Sequence, residues 1–405
     1  MRLLIIAIFL ATTAFGFFLK YLNYSMRNAT LPENVRDVYD EDAYKKNQAY
    51  KMEGLKFSIV SGLVGTAVML AFLLLNFHHT LYVFVSTHTS SIYLTGMFIL
   101  FVPIFVGNVI DMVLDIYDTF VIEEKYGFNK TTTKTFVLDF VKSLLLVVLL
   151  LGGILSLFLF LHERLGNMVF AAFFFVLLAI RLIFTFLAPF FIRIFNKLTP
   201  LDEGELKQKI EALATKHGYK LKGIFKVDAS KRSTKINAFA TGFGKTKTIG
   251  LYDTLLEKMT DDEIVGVLAH EIGHAKFRHI LKSTPLSLLS FVIMLAAAYF
   301  IVTMPEVSMA FGFSDANVVF GLYVLFIMLS PISLVLGIPA SALSRKFEFE
   351  ADAFEKEQVG KEVAISAMKK LCRENLANLT PHPFVVMMEY SHPTASQRIA
   401  AFERD

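Results

Sequence analysis

Cysteine is almost absent from this chain. Cys372 is the single one in 405 residues, which excludes an intrachain disulfide and suits a reducing compartment. Internal repeats and low-complexity segments are missing too, so repeat architectures are excluded. Charge is absent from long stretches. Residues 3–19, 57–77, 92–110, 143–161, 283–304 and 318–343 carry none, and 168–192 carry only Arg181. Lys and Arg are also absent from the segments 87–91 and 305–317, and 162–167 hold only Arg164.

What fills the uncharged runs is apolar. Hydrophobic residues make up 55%, Phe alone numbers 41, and mean hydropathy is +0.54. A soluble domain is nearer half apolar and lacks such runs. Each run approaches the ~20 residues that cross a hydrocarbon core, so about seven transmembrane helices are expected. The first run could be a signal peptide starting at Arg2. Loop charge argues otherwise, because residues 25–56 hold Arg27, Arg36, Lys45, Lys46, Lys51 and Lys56. With the N-terminus outside, the Lys-bearing segments 25–56, 119–135 and 193–282 all face the cytoplasm, as the positive-inside rule requires. These loops account for the formal net charge of +4, which gives no sign of a nucleic-acid partner.

Four regions follow: spans one to five with their loops (1–192), a polar insert (193–282), spans six and seven (283–343) and a cytoplasmic tail (344–405). In the insert, Leu206, Ile210 and Leu213 lie on one face of a helix over 203–217 that Gly218 ends. A strand is expected at 224–227, and a hairpin at 236–241 and 248–252 around Gly242-Phe243-Gly244. Further helices are expected at 361–375 and 395–402, the latter capped by Thr394 and Gln397.

The insert ends on His270-Glu271-Ile272-Gly273-His274. On a helix, positions i and i+4 share a face, so His270 and His274 can reach one metal ion. Glu271 is placed beside them to take a proton from a water on that metal. The helix is supported by a Thr260–Glu263 capping box and by the periodicity of Val265, Leu268, Ala269 and Ile272. A zinc hydrolase needs a third protein ligand. Glu348 and Asp352 share a helical face downstream. One can bind the metal while the other accepts the free N–H of a ligating histidine. Spacing alone leaves Glu350, Glu355 and Glu357 open as well. Asn76, Asn108, Asp111, Asp115 and Arg181 lie in or beside spans. They either pair helices or line a water-filled chamber.

At this point the chain resembles a known family, the integral-membrane zinc metalloproteases called CAAX prenyl proteases, which include the yeast mating-factor-converting enzyme. The resemblance rests on Leu31-Pro32 through Tyr50-Lys51, on Thr119-Phe120-Val121-Ile122-Glu123-Glu124-Lys125-Tyr126-Gly127-Phe128-Asn129-Lys130, and on Asn237-Ala238-Phe239. It continues through Gly242–Lys245, Leu251–Leu255, His270–His274, Phe347–Asp352, Asn378–Pro383 and Ser391–Arg398. The resemblance implies an α-helical membrane protein with seven helices around a chamber and a cytoplasmic, zincin-like α+β catalytic domain. It implies one zinc ion per chain held by His270, His274 and Glu348. Glu271 would be the general base, with Asp352 on a ligating histidine and His392 near the oxyanion. Substrate would meet Asn237, Ala238, Phe239 and Arg398, with the edge at 236–241 adding a peptide strand. The implied partners are the bilayer and a peptide with a CAAX tail, prenylated or bare.

The last outer loop lacks a long insertion, and Glu403-Arg404-Asp405 shows no retrieval signal. Both features suit a prokaryotic relative in a bacterial inner membrane; a eukaryotic one would sit in the endoplasmic reticulum. Three rival readings compete with this one. An HtpX-like quality-control metalloprotease shares the chemistry but not the seven spans or the Glu123-Glu124-Lys125 loop. A site-2-type intramembrane protease buries its motif in an apolar span, whereas Lys258, Asp261, Asp262, Lys276 and Arg278 flank this one. An inactive scaffold or a transporter does not need Glu271 beside a complete ligand set.

Overall fold

A computed structural model of the chain describes residues 1–241 and 247–404. The expected turn Gly242-Phe243-Gly244 lies outside the described residues. The apolar runs form helices, since a helix satisfies its own backbone N–H and C=O groups where no water can. Before the insert come α1 (Arg2–Ser25), α2 (Glu41–Leu74), α3 (Phe77–Ser86), α4 (Ile92–Tyr117), α5 (Thr133–Leu165) and α6 (Val169–Phe195). The insert holds β1 (Leu198–Pro200), α7 (Glu205–Lys216), β2 (Leu221–Val227), β3 (Ala238–Thr241), β4 (Lys247–Tyr252), α8 (Asp253–Lys258) and α9 (Asp261–Lys276). Then follow α10 (His279–Thr303), α11 (Pro305–Met309), α12 (Val318–Val359), α13 (Lys361–Glu374), α14 (Pro383–Glu389) and α15 (Ala395–Glu403).

Among the described residues, six stretches are long and apolar enough to cross a bilayer, against an expected seven. The difference lies in one of them, Thr133–Phe184, which takes in α5 and the first part of α6. A 3-10 turn at Gly166–Met168 separates these two helices, and Gly166 turns with φ +54°. A side chain there would be strained, which is why glycine serves.

Two helices run further than the apolar pattern suggests. α2 begins at Glu41, where the Asp40 carboxylate caps Ala43 N at 2.8 Å, so a polar half precedes its apolar half. It ends at Leu74, and Asn76, with φ 51°, redirects the chain into α3. α12 continues unbroken for 42 residues through Pro331 and Pro339. The last apolar run and the segment bearing Glu348 are therefore one rod.

The two ends of the bundle differ. At one end Val35, Tyr39, Ile122, Tyr126 and Phe128 pack with Met368, Leu379, Ile399 and Phe402 in a single buried cluster. The segments around 35–39 and 122–128 thus lie on the same side as the tail. At the other end Ile5, Leu73, Val307, Phe311 and Phe313 pack together, and Arg2 donates to Leu73 O at 2.8 Å. Asn108 and Asp111 line a cavity of about 300 Å³ between α2, α4 and α12.

The insert is an α+β layer. Its sheet runs β1-β2-β4-β3, with β2 and β4 parallel and β3 antiparallel to β4 in the register Ala238↔Leu251. The expected hairpin partners are thus confirmed as neighbours, and β3 forms a sheet edge. Ile210 of α7, Ile224, Ile249 and Leu251 of the sheet, Leu268 of α9 and Ala367 of α13 share one core.

Candidate metal centre

The centre is built where α9 meets α12. Thr260 Oγ1 accepts from Glu263 N at 3.3 Å, and Glu263 Oε2 accepts from Thr260 N at 2.8 Å, completing the capping box. The other Glu263 oxygen takes the Ser366 hydroxyl at 2.6 Å and ties α9 to α13. Gly273 lets α9 approach α12 closely. A Cβ there would lie 3.1 Å from Phe354 Cδ1 and 3.2 Å from Ala351 Cα. One of the two unspecified positions of the motif is therefore a packing glycine, and it brings both histidines to Glu348.

Three side chains converge. His270 Nε2 lies 3.1 Å from His274 Nε2 and 3.3 Å from Glu348 Oε2, and His274 Nε2 lies 3.4 Å from Glu348 Oε1. With metal bonds of about 2.0–2.1 Å, tetrahedral ligands sit roughly 3.3 Å apart. The observed triangle has that edge length. Glu348 Oε2 is buried and has no hydrogen-bond partner among the described residues. An orphaned carboxylate oxygen beside two imidazole nitrogens is the donor set that zinc accepts.

Both imidazoles are oriented from behind. Asp352, 1% exposed, lies 3.0 Å from His270 Nδ1 and accepts its proton, leaving the Nε2 lone pair for the metal. Arg398 grips the same carboxylate, with Nε at 2.9 and 3.1 Å from its two oxygens. Burial opposes a proton on His270, but the Asp352 carboxylate at Nδ1 and the Glu348 carboxylate facing Nε2 prevail and raise its pKa to about 9. A site this negative favours a cation. A second trio, His270, Asp352 and Glu355, is also close enough to hold an ion. There, however, the Arg398 guanidinium already supplies the positive charge, with Nη2 3.2 Å from His270 Nδ1.

Glu271 is half-buried and accepts no hydrogen bond among the described residues. Burial first, and the Glu271 charge second, push the Tyr219 hydroxyl up to about 12. His392 Nε2 lies 3.3 Å from Glu348 Oε1 on a largely exposed ring. The site thus gathers His270, Glu271, His274, Glu348, Asp352 and His392. The residues expected on substrate fare differently. Nε and Nη2 of Arg398 are taken by Asp352, and Nη1 faces Glu348 at 3.8 Å. The Ala238 side chain packs into the insert core, and the Phe239 ring lies over Gly250 on β4. Asn237 is exposed, and its side chain accepts from Ala238 N at 2.9 Å.

The chain is similar to known proteins. A family profile described as the CAAX prenyl protease N-terminal region, five membrane helices, matches residues 20–197. A second, described as peptidase family M48, matches residues 200–405. The chain belongs to peptidase family M48. It is 32% identical to CAAX prenyl protease 1 of Saccharomyces cerevisiae, covering 99% of this chain and 95% of the relative. It is 32% identical to the CAAX prenyl protease 1 homolog of Oryza sativa subsp. japonica, over 94% and 91% of the two chains. The crystal structure of S. mikatae Ste24p superposes with a TM-score of 0.93 at 31% identity, covering 100% of this chain and 99% of that one. The chain is therefore a multi-pass membrane metalloendopeptidase of the M48 family.

Two features of this M48 site escaped the sequence reading. His274 Nδ1 lies 2.8 Å from His279 Nδ1, and His279 Nε2 lies 3.1 Å from Glu350 Oε2. With Glu350 accepting from His279, and His279 from His274, the Nε2 lone pair of His274 also points at the metal position. The only sequence signal was a third histidine five residues past the motif. The second feature is a clamp at the start of β3. Asn375 reads both polar groups of Ile236, accepting from its N at 2.9 Å and donating to its O at 3.0 Å. Lys235 is held by Glu123 at 2.8 Å and by the Tyr50 hydroxyl at 2.9 Å. The segment 119–130, distinctive in sequence, thus anchors the approach to the edge strand, and its Asp118–Glu123 turn is π-helical.

Proposed function

We propose that this chain is a zinc-dependent endopeptidase that cleaves peptides near their C-terminus, with prenylated CAAX tails as its substrate class. The carrying observation is the triangle of His270, His274 and Glu348, spaced as ligands of one tetrahedral ion with Glu271 unencumbered beside it. In this reading the three residues hold one zinc per chain. Asp352 orients His270, and His279 with Glu350 orients His274. Bound zinc would supply a water of lowered pKa and a Lewis acid for the scissile carbonyl. Glu271 takes the proton of the attacking water and returns it to the leaving amine. His392 donates to the oxyanion. The free edge of β3 pairs with the extended peptide. Ala238 and Phe239 contribute backbone rather than side chains, and Asn237 contacts the peptide at the strand's start.

The membrane arrangement belongs to the same proposal. α1, α2, α4, α5, α6, α10 and α12 make seven spans, with α5 and α6 counted apart because the chain turns between them. Loop charge orients the insert and tail, the regions 193–282 and 344–405, toward the cytoplasm of a bacterial inner membrane or of the endoplasmic reticulum. A lipidated tail could then keep its prenyl chain in an apolar environment while its peptide reaches the metal. The prenyl group adds apolar burial at ~25 cal/mol per Å² at most.

Mass spectrometry of products from farnesylated and bare CAAX peptides tests the reading. Cleavage after the modified cysteine, more efficient on the farnesylated peptide, is expected. Equal efficiency on both, with cuts scattered through unfolded proteins, would contradict it and favour membrane-protein quality control.

A further inference from the structure

Arg181 is the only charged residue in 168–192, near the middle of α6. A charge at that depth is costly and marks a pathway for substrate or ions. Arg181 lines a cavity of about 460 Å³ that also touches His274 and runs between α6, α10 and α12. Ligand pockets commonly occupy about 300–1,000 Å³. Ser283, Ser287 and Ser290 of α10 and Ser344 of α12 line the same cavity, with apolar side chains between them. The α10 serines are four and three residues apart, hence on one helical face. Ser283 and Ser290 donate their own protons to Ile280 O and Leu286 O, at 3.0 and 2.9 Å. Their remaining lone pairs can accept N–H groups. The cavity therefore offers acceptors along one wall, a guanidinium in the other, and a ligand histidine at its mouth.

We infer that this cavity is the subsite for the C-terminal fragment released by cleavage, with Arg181 binding its free α-carboxylate. The inference rests on the proposed CAAX endopeptidase activity. A tripeptide spans at most ~10 Å extended, a length suited to a pocket of this size. Its N–H groups match the serine acceptors and its carboxylate matches the guanidinium, which binds carboxylates through paired N–H donors. The inference turns on the carboxylate, which an internal sequence does not offer.

The test uses the zinc-loaded full-length protein and two farnesylated CAAX peptides, one ending in a free carboxylate and one in an amide. A charge-assisted contact corresponds to a preference of roughly 10–100-fold in kcat/KM for the acid. Arg181→Gln should bring the acid-to-amide ratio to about one, mainly through KM, and Arg181→Lys should keep part of it. An unchanged ratio in Arg181→Gln overturns the inference. So does an Arg181 effect that follows only the anionic lipid content of the vesicles, which would assign the guanidinium to a headgroup. Should the variant fail to fold, the wild-type protein decides the matter alone. The free tripeptide should inhibit at least about tenfold better than its amide, and equal inhibition overturns the inference. Cleavage of both substrates at equal rates by the wild type leaves the proposed activity standing and removes the subsite. Cleavage of neither overturns the proposed activity, and the subsite with it.

Discussion

Asp352→Ala separates two functions that one carboxylate serves. The carboxylate is 1% exposed and takes His270 Nδ1 at 3.0 Å and the Arg398 guanidinium through Nε and Nη2. Removing it leaves a guanidinium that is 13% exposed, with Glu348 at 3.8 Å and the buried Glu355 as its remaining acidic neighbours. Breaking such a buried pair costs about 3–5 kcal/mol of stability. Independently, His270 loses the acceptor that fixes its tautomer, a loss worth about 10–100-fold in metal affinity. Arg398→Met on top of Asp352→Ala removes the stranded charge but does not restore the tautomer. The double variant should therefore regain most of the lost stability and none of the lost zinc affinity. Thermal unfolding of chelated protein reads the first quantity, and zinc titration against a competing chelator reads the second. Wild-type zinc affinity in the double variant would refute the reasoning, because Asp352 would then serve only to balance Arg398.

Three further outcomes follow from the same geometry. His279→Ala should lower zinc affinity about tenfold, since His274 loses its Nδ1 acceptor; chelator competition measures it, and an unchanged affinity would leave the His274–His279–Glu350 chain without a role. Asn375→Ala should raise KM for a peptide substrate with little change in kcat, because it loosens the start of β3 rather than the metal; steady-state kinetics distinguish the two. In a Cys372→Ser background, a cysteine placed in 305–317 should react with an impermeant reagent only from the side opposite the tail. Labelling from the tail side would sink the seven-span arrangement.

Much of the fold was legible in the sequence because a bilayer forces simple rules on it. Uncharged runs became helices, and both capping boxes formed where their side chains predicted. The α5–α6 region resists a count because only Glu163, Arg164 and a short glycine turn separate its two apolar runs. β1 is three residues long and ends on Pro200, too short to show a period, and it exists because β2 offers it an edge. α14 starts on Pro383, and its cap is the His382 ring accepting from Phe384 N at 3.2 Å, an unusual capping residue. In the metal centre, the His270–His274 spacing was readable from one helix alone. Choosing Glu348 over its acidic neighbours needed the contact between α9 and α12. Arg398 was read as reaching substrate, since nothing in the sequence pairs it with Asp352 across 46 residues. The roles of His279 and Asn375 likewise arise only from tertiary contacts.

The most direct test of the central claim is quantitative metal analysis of the purified wild-type protein beside Glu271→Gln and Glu348→Ala, with hydrolysis of a CAAX peptide measured on the same samples. In the proposed site Glu348 supplies one of three protein ligands, whereas Glu271 only moves a proton. About one zinc per chain is therefore expected in the wild type and in Glu271→Gln, with hydrolysis only in the former. Glu348→Ala should lose both zinc and activity. Full zinc and full activity in Glu348→Ala would contradict the ligand set, and hydrolysis retained by Glu271→Gln would contradict the base.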